Sequence, residues 1–246
     1  MILASAQTKP KRGDINENLL DHYRLIDIAA DKGVELIVFP EMSITGYERE
    51  RAASLAFTQN DSRLDKLAKL AVDKKIIIIA GAPIRISFDL FIGGFIFQPD
   101  NSIIIYTKQF LHLDEENYFQ SSFDYNPIIK LDNERISFAI CADIDNPMHP
   151  QNAYKVDSSI YIASIFFSPK GIPTAHNLLS GYAKKFSMNV LMSNFSGESW
   201  GQPSGGRSAF WDKNGKLISE MDDYNSGLLI VEKHKDIWTE QIINDK

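Results

Sequence analysis

Cysteine is all but missing from this chain: Cys141 is the only one in 246 residues. A solitary thiol excludes an internal disulfide, which suits a reducing compartment. It also excludes the cysteine-rich zinc sites that need several thiolates. Long hydrophobic runs are missing too. No stretch approaches the ~18 consecutive apolar residues of a membrane span. The opening "MILASAQTKPKRGD" lacks the basic-then-apolar order of a secretory signal. A cytoplasmic location and no membrane partner are therefore expected. Basic charge is in short supply, since 26 Lys and Arg against 32 Asp and Glu leave a net charge of −6. Nucleic acid needs concentrated cations, so it is not expected as a partner. The one basic cluster, "KPKRG", reads as a solvated turn. With no repeat, low-complexity tract or linker-like stretch, a single domain over residues 1–246 is expected.

What is present reads as alternating strands and helices. "ILASAQT" reads as a strand, and "DINENLLDHYRLIDIAADKG" carries Leu19, Tyr23, Ile26 and Ala30 on one helical stripe. Asp14 is the expected N-cap of that helix and Gly33 its stop. "VELIVFP" and "IIIIAGAP" are nearly all apolar, as strands buried on both faces are, and they flank a helical "DSRLDKLAKLAVDKK". Hairpins are expected around Pro-Asp-Asn in "FIGGFIFQPDNSIIIYTKQ", around Asp-Asn in "PIIKLDNERISFAIC" and around Asn-Gly in "RSAFWDKNGKLISE". "SSIYIASIF" and "NVLMSNFSG" add strands on either side of a helix in "TAHNLLSGYAKKFSM". The order implies an α/β layered sandwich rather than a barrel or bundle.

Three chemically able residues stand where strands give way to loops, the usual place for a site on a sheet scaffold. Glu41 follows "LIVFP", Lys108 follows "IIIYT" and Cys141 follows "ISFAI". Each has an ordinary alternative. Cys141 alone would be a small buried hydrophobe, Glu41 an acid near a helix dipole, and Lys108 a solvated amine. Together they hold what acyl transfer needs: a proton acceptor, a cation for a developing oxyanion, and a thiol to attack a carbonyl. A thiol so placed is expected to label readily, whereas a core thiol resists until unfolding.

With "FPE…TGY", "YTKQFLHLDEENYF" and "ICAD" in this order, the chain resembles the nitrilase superfamily, the carbon–nitrogen hydrolases. The resemblance covers most of the chain, including the opening "AQ", the "MSNFSG" strand and the "GGRSAFWDKNGKL" hairpin. It implies a four-layer α-β-β-α sandwich of the nitrilase type and a Glu-Lys-Cys triad that cleaves non-peptide C–N bonds without metal or organic cofactor. It assigns Glu41 as general base, Lys108 as oxyanion partner and Cys141 as nucleophile, with the backbone N–H of Ala142 as a second oxyanion donor. A second carboxylate aligns with Glu115 or Glu116, Glu115 preferred. The implied function is hydrolysis of a small linear amide, carbamoyl amide or nitrile through a Cys thioester. Alternatives are an acyl or amide transferase using the same covalent step, and an inactive binding homologue. A homodimer or larger homo-oligomer is also implied.

The resemblance loosens after the cysteine. "CADIDNP" has Ala142 where an aromatic is usual, and Ile144 or Asp145 where an arginine is usual. The missing arginine argues against an acidic substrate, and the acid-rich turn argues for a neutral or cationic one, although Asp143 and Asp145 read first as turn caps. Tyr47, Tyr118, Phe119, Phe166 and Phe167 are the aromatics expected near the site, with Tyr47, Tyr118 and Phe166 proposed to touch substrate. His112, His149 and His176 have no metal-ligand spacing and are assigned no chemistry. "WGQPSGGRS" reads as a surface loop.

Overall fold

The computed structural model describes residues 1–245. The first half of the chain forms strands β1 (Ile2–Gln7), β2 (Leu36–Val38), β3 (Ile77–Ile86), β4 (Asp89–Phe97) and β5 (Ile103–Thr107). The second half forms β6 (Ile129–Leu131), β7 (Glu134–Ile140), β8 (Ile160–Ser164) and β9 (Asn189–Ser193). A small hairpin, β10 (Glu198–Ser199) and β11 (Gln202–Pro203), precedes β12 (Ala209–Trp211), β13 (Leu217–Glu220), β14 (Gly227–His234) and β15 (Ile237–Asn244). The helices are α1 (Ile15–Asp31), α2 (Ala52–Leu55), α3 (Asp65–Lys74), α4 (Met148–Lys155) and α5 (Ile172–Phe186). Two sheets result, one ordered β15-β14-β1-β2-β3-β4-β5 and the other β13-β12-β9-β8-β7-β6.

The layers follow from side-chain alternation along strands. Leu36 and Val38 of β2 face inward to the space between the sheets, as do Ile77 and Ile79 of β3, and there they meet Ile136, Phe138 and Ile140 of β7. The residues between them, Ile37, Ile78 and Ala80, face outward and meet Leu25, Ile26 and Ala29 of α1 and Leu67 and Ala71 of α3. On the far side, Ala139, Tyr161 and Ala163 face outward to Ala175, Leu179 and Ala183 of α5. Three apolar seams between four layers make an α-β-β-α sandwich, the architecture that the resemblance implies. Among the described residues no helix is long and apolar enough to cross a membrane.

Local signals act as read. The Asp14 side chain accepts the Glu17 N–H at 3.1 Å at the start of α1, and Gly33 follows its end at φ 74°. The three hairpins close as β4–β5, β6–β7 and β12–β13. Two features go beyond the sequence reading. The stretch after the acid-rich "CADIDNP" turn, which the sequence reading left unassigned, forms α4, with Pro147 just ahead of its first residue, where proline is tolerated. The last strands, β14 and β15, were not read at all, yet β14 pairs antiparallel with β1 and makes it an interior strand.

Strand direction gathers the loops that matter. β1, β2 and β3 run parallel, and two antiparallel steps bring β5 back to the same direction. β7, β8 and β9 run parallel in the second sheet. Buried serines stitch the sheets together: Ser164 Oγ donates to the Phe39 carbonyl at 2.8 Å, and Ser193 Oγ to that of Ala6 at 2.6 Å. The carboxyl ends of β2, β5, β7 and β8 therefore open on one rim, where α/β sheets usually carry their ligands.

Candidate active site

Two clamps hold the three strand exits. Glu41 leaves β2 through Phe39 and Pro40, and its loop lies across β3 at Gly81. Gly81 accepts the Ile44 N–H at 2.9 Å and donates to Ser43 Oγ at 3.2 Å. From α1, His22 Nε2 lies 2.9 Å from the same Ser43 hydroxyl and Asn18 Nδ2 donates to the Ile44 carbonyl at 3.1 Å. Burial lowers His22 to about 4, so it holds this loop as a neutral ring. A Cβ at Gly81 would lie 2.5 Å from Met42 N and 3.0 Å from the Pro40 carbonyl oxygen, both backbone atoms that cannot swing aside. Gly81→Ala is therefore expected to destabilise the fold by about 1–3 kcal/mol and to displace Glu41. Urea unfolding of the variant measures the first effect, and an unchanged midpoint would show that the loop has slack.

The other two exits share one clamp. Asp143 Oδ1 accepts the N–H groups of Gln109 and Phe110, each at 2.9 Å, just past Lys108. Its Oδ2 accepts from Ile140 N at 2.8 Å, just before Cys141, and from the Tyr106 hydroxyl at 2.6 Å. One buried carboxylate thus fixes the Lys108 loop to the Cys141 turn. His149 backs it, with Nε2 2.9 Å from the Tyr106 oxygen and Nδ1 2.8 Å from that of Tyr161. Cys141 itself sits at φ 43°, a left-handed conformation that costs a side-chain-bearing residue of order 1–3 kcal/mol. Met42 and Asp114, next to Glu41 and Glu115, are also left-handed, at φ 52° and 72°.

At the centre is a fully buried ammonium. Lys108 Nζ donates to Glu41 Oε1 at 2.8 Å and to Glu115 Oε1 at 2.9 Å, and none of the three side chains is exposed. Two carboxylates share one cation, so the remaining donors separate them. Glu115 also receives the Tyr47 hydroxyl at 2.5 Å and the His112 N–H at 2.8 Å. Burial works against its charge, yet Lys108 and these donors hold it below the usual carboxylate range. Glu41 has only the ammonium on Oε1, and its buried Oε2 has no complete hydrogen bond among the described residues. Burial lifts the Glu41 carboxyl to about 7 despite the pull of Lys108, with the Cys141 thiol beside it. Burial alone would lower the lysine, but Glu41, Cys141 and Glu115 keep it above its ordinary value. Glu116, in contrast, stays exposed.

Cys141 is 2% exposed and opens on a cavity of roughly 400 Å³ lined by Glu41, Tyr47, Arg49, His112, Phe166, Phe167 and Trp200. Burial, then Glu41, push the thiol well above its ordinary range, so the resting sulfur is protonated. Of the aromatics expected near the site, Tyr47, Phe166 and Phe167 line the cavity. Tyr118 lies outside the wall and Phe119 is buried in the inter-sheet seam. Ala142 is buried in the turn behind the sulfur.

Three neighbours were assigned no role from the sequence. His112 Nε2 lies 3.2 Å from Cys141 Sγ, and burial followed by Lys108 lowers the ring's pKa. Trp200, on the β10–β11 hairpin read as plain surface loop, packs edge-on against Tyr47 at 5.8 Å. Arg49 lies over Trp200. The only available signal was position: His112 lies between Lys108 and Glu115, and Arg49 two residues after Tyr47.

Residues 2–239 match the sequence model of the family described as carbon-nitrogen hydrolase. Among curated proteins, the chain is similar to the glutamine-dependent NAD(+) synthetase of Thermotoga maritima, 28% identical over 171 residues that cover 67% of this chain and 29% of that one. The enzyme of the same name from Aquifex aeolicus is 24% identical over 238 residues, 93% of this chain and 41% of the other. The chain thus spans less than half the length of these two relatives. The arylacetonitrilase of Aspergillus kawachii is 22% identical, with 99% of this chain and 85% of that one covered. Among solved structures, the amidase from Nesterenkonia sp. AN1 superposes with a TM-score of 0.84 at 19% identity, over 96% of this chain and 93% of that one. A mutant of that amidase in complex with butyramide superposes at 0.83. At this identity the likeness is one of fold.

Proposed function

The chain belongs to the carbon–nitrogen hydrolase family, and from that premise we propose that it hydrolyses a small amide through a thioester on Cys141. Glu41 moves the protons and Lys108 stabilises the oxyanion. The observation that carries this reading is the buried ammonium held by two carboxylates at 2.8 and 2.9 Å, beside a thiol at the floor of a cavity. Such a cluster costs several kcal/mol per ion to bury, a cost that packing alone would avoid with apolar residues.

The steps balance. The Glu41 carboxylate takes the Cys141 proton as sulfur bonds to the amide carbon, and the carbonyl π pair moves onto oxygen. Lys108 and the Ala142 N–H stabilise that charge by electrostatics fixed in advance. Glu41 returns its proton to the nitrogen as the C–N bond breaks, which releases ammonia and leaves a thioester. Water then gives a proton to Glu41 as its oxygen attacks. Collapse of the second tetrahedral species expels the thiolate, which recovers the proton from Glu41 and frees the acid. One carboxylate serves both halves because each starts with the proton where the other leaves it. Glu115, kept ionised by its extra donors, orients Lys108 and keeps its charge in place. A nitrile can enter the same cluster at carbon. Ammonia release measured across amides, ureido acids and nitriles tests the reading, and a protein inert to all three classes would refute it.

The pH profile follows from Glu41. Only its carboxylate can accept the thiol proton, and it titrates at about 7. Below that value kcat/KM is expected to fall tenfold per pH unit, and above it to level off. Initial rates between about pH 5 and pH 8 measure this limb. A flat profile would remove Glu41 from the role of base.

A further inference from the structure

Arg49 presents a planar guanidinium with donors to spare. Its guanidinium lies 4.1 Å from the centre of the Trp200 ring and 5.9 Å from that of Tyr118. Stacking holds a guanidinium by its faces and leaves its edges free to bind. One edge is in use, because Nε donates to Glu50 Oε1 at 3.3 Å. Glu50 is anchored in turn by the Trp200 indole N–H, 2.9 Å from Oε2. Neither Nη group meets an acceptor among the described residues, although the side chain is only 15% exposed and lines the cavity above Cys141. An oriented fork with an unused edge matches the two oxygens of a carboxylate.

The other charges leave this edge without a competitor. Glu41 lies at the cavity floor, bound to Lys108. Glu50 spends its oxygens on Nε and on Trp200. His112 faces the sulfur, with Asp145 4.0 Å behind its Nδ1. Asp143, whose position in the sequence suggested a neutral or cationic substrate, is fully buried with both oxygens committed to Tyr106 and three backbone N–H groups. The acidic turn therefore adds no carboxylate to the cavity wall.

We propose that the site takes an amide whose far end carries a carboxylate, gripped by the Nη edge of Arg49 while the carboxamide carbon lies at Cys141. This rests on the hydrolase reading of the same cavity and adds its substrate class. The arginine that usually follows the cysteine is missing, and Arg49 supplies a cation from a different loop.

Turnover of succinamate and glutaramate, the half-amides of four- and five-carbon diacids, is to be compared with that of neutral butyramide. The best half-amide should exceed butyramide in kcat/KM by about 10- to 100-fold, the scale of a hydrogen-bonded charge pair. Arg49→Gln should erase that advantage through KM, leave kcat within about threefold and cost the half-amide at least about tenfold more in kcat/KM than it costs butyramide. Arg49→Lys should restore only part of it. Equal use of anionic and neutral amides by the wild type, or equal losses on both in Arg49→Gln, would overturn the proposal. Calorimetric binding of succinamate, glutaramate and butyramide to Cys141→Ala protein judges Arg49 without turnover. Tighter binding of a half-amide supports it, and equal affinity refutes it. A wild type that releases no ammonia from any amide refutes the hydrolase reading, while this binding comparison still judges Arg49.

Discussion

Cys141→Ala is expected to lower ammonia release by about 10⁴-fold or more, the scale on which removing an enzyme's nucleophile acts, while leaving the unfolding midpoint close to that of the wild type. The two halves of this expectation have separate causes. Alanine removes one buried sulfur and keeps the left-handed backbone at φ 43° that the Asp143 clamp imposes. Folding therefore loses little, and catalysis loses the atom proposed to form the thioester. Mass spectrometry after mixing with substrate should find an acyl adduct on the wild type and none on the variant. Retained activity would show that the sulfur is a bystander. The structure also changes what the resting thiol should do. Ready labelling was expected of a nucleophile, but burial keeps this thiol protonated and 2% exposed. Bulky thiolate reagents should react slowly, and small electrophiles that fit the cavity should react faster.

Lys108→Met should have the largest combined effect on stability and rate. It leaves Glu41 and Glu115 buried with no cation, and breaking a buried ion pair in this way costs about 3–5 kcal/mol. The loss should depend on pH with a definite sign. Without the ammonium, which now pulls Glu41 down, the carboxyls bind protons more tightly folded than unfolded. Stability relative to wild type should therefore recover as pH falls. Urea titrations at about pH 5 and pH 8 measure this difference, and adding Glu115→Gln should recover part of the loss at the higher pH. The rate should fall by at least about 10²–10³-fold, the effect of one missing oxyanion donor. Equal stability at both pH values would mean that water or a neighbour replaces the cation.

Much of the sandwich was legible because its strands announce themselves. "LIVF" and "IIII" are buried on both faces and leave no polar alternation to misread. β14 and β15 escaped because β15 is a mostly exposed edge strand whose polar residues Thr239, Glu240 and Gln241 interrupt its apolar period, and β14 reveals its place only by pairing with β1. Proline and the acids ahead of α4 resemble a turn because helix starts and turns use the same residues. The positions of Glu41, Lys108 and Cys141 at strand exits could be seen in the sequence. The choice between Glu115 and Glu116 could not, since it depends on which side chain the short turn at Glu115–Asn117 directs inward. Arg49, His112 and Trp200 come from three loops that meet only when the sheets dock, and no local pattern marks them.

The acid and the amine hang from one sheet and the sulfur from the other, and the first sheet gains its interior pairing only when β14 joins β1. Before the two sheets dock, the chain therefore carries all three groups without bringing them together. On the proposed mechanism, reactivity depends on the two slabs closing on one another.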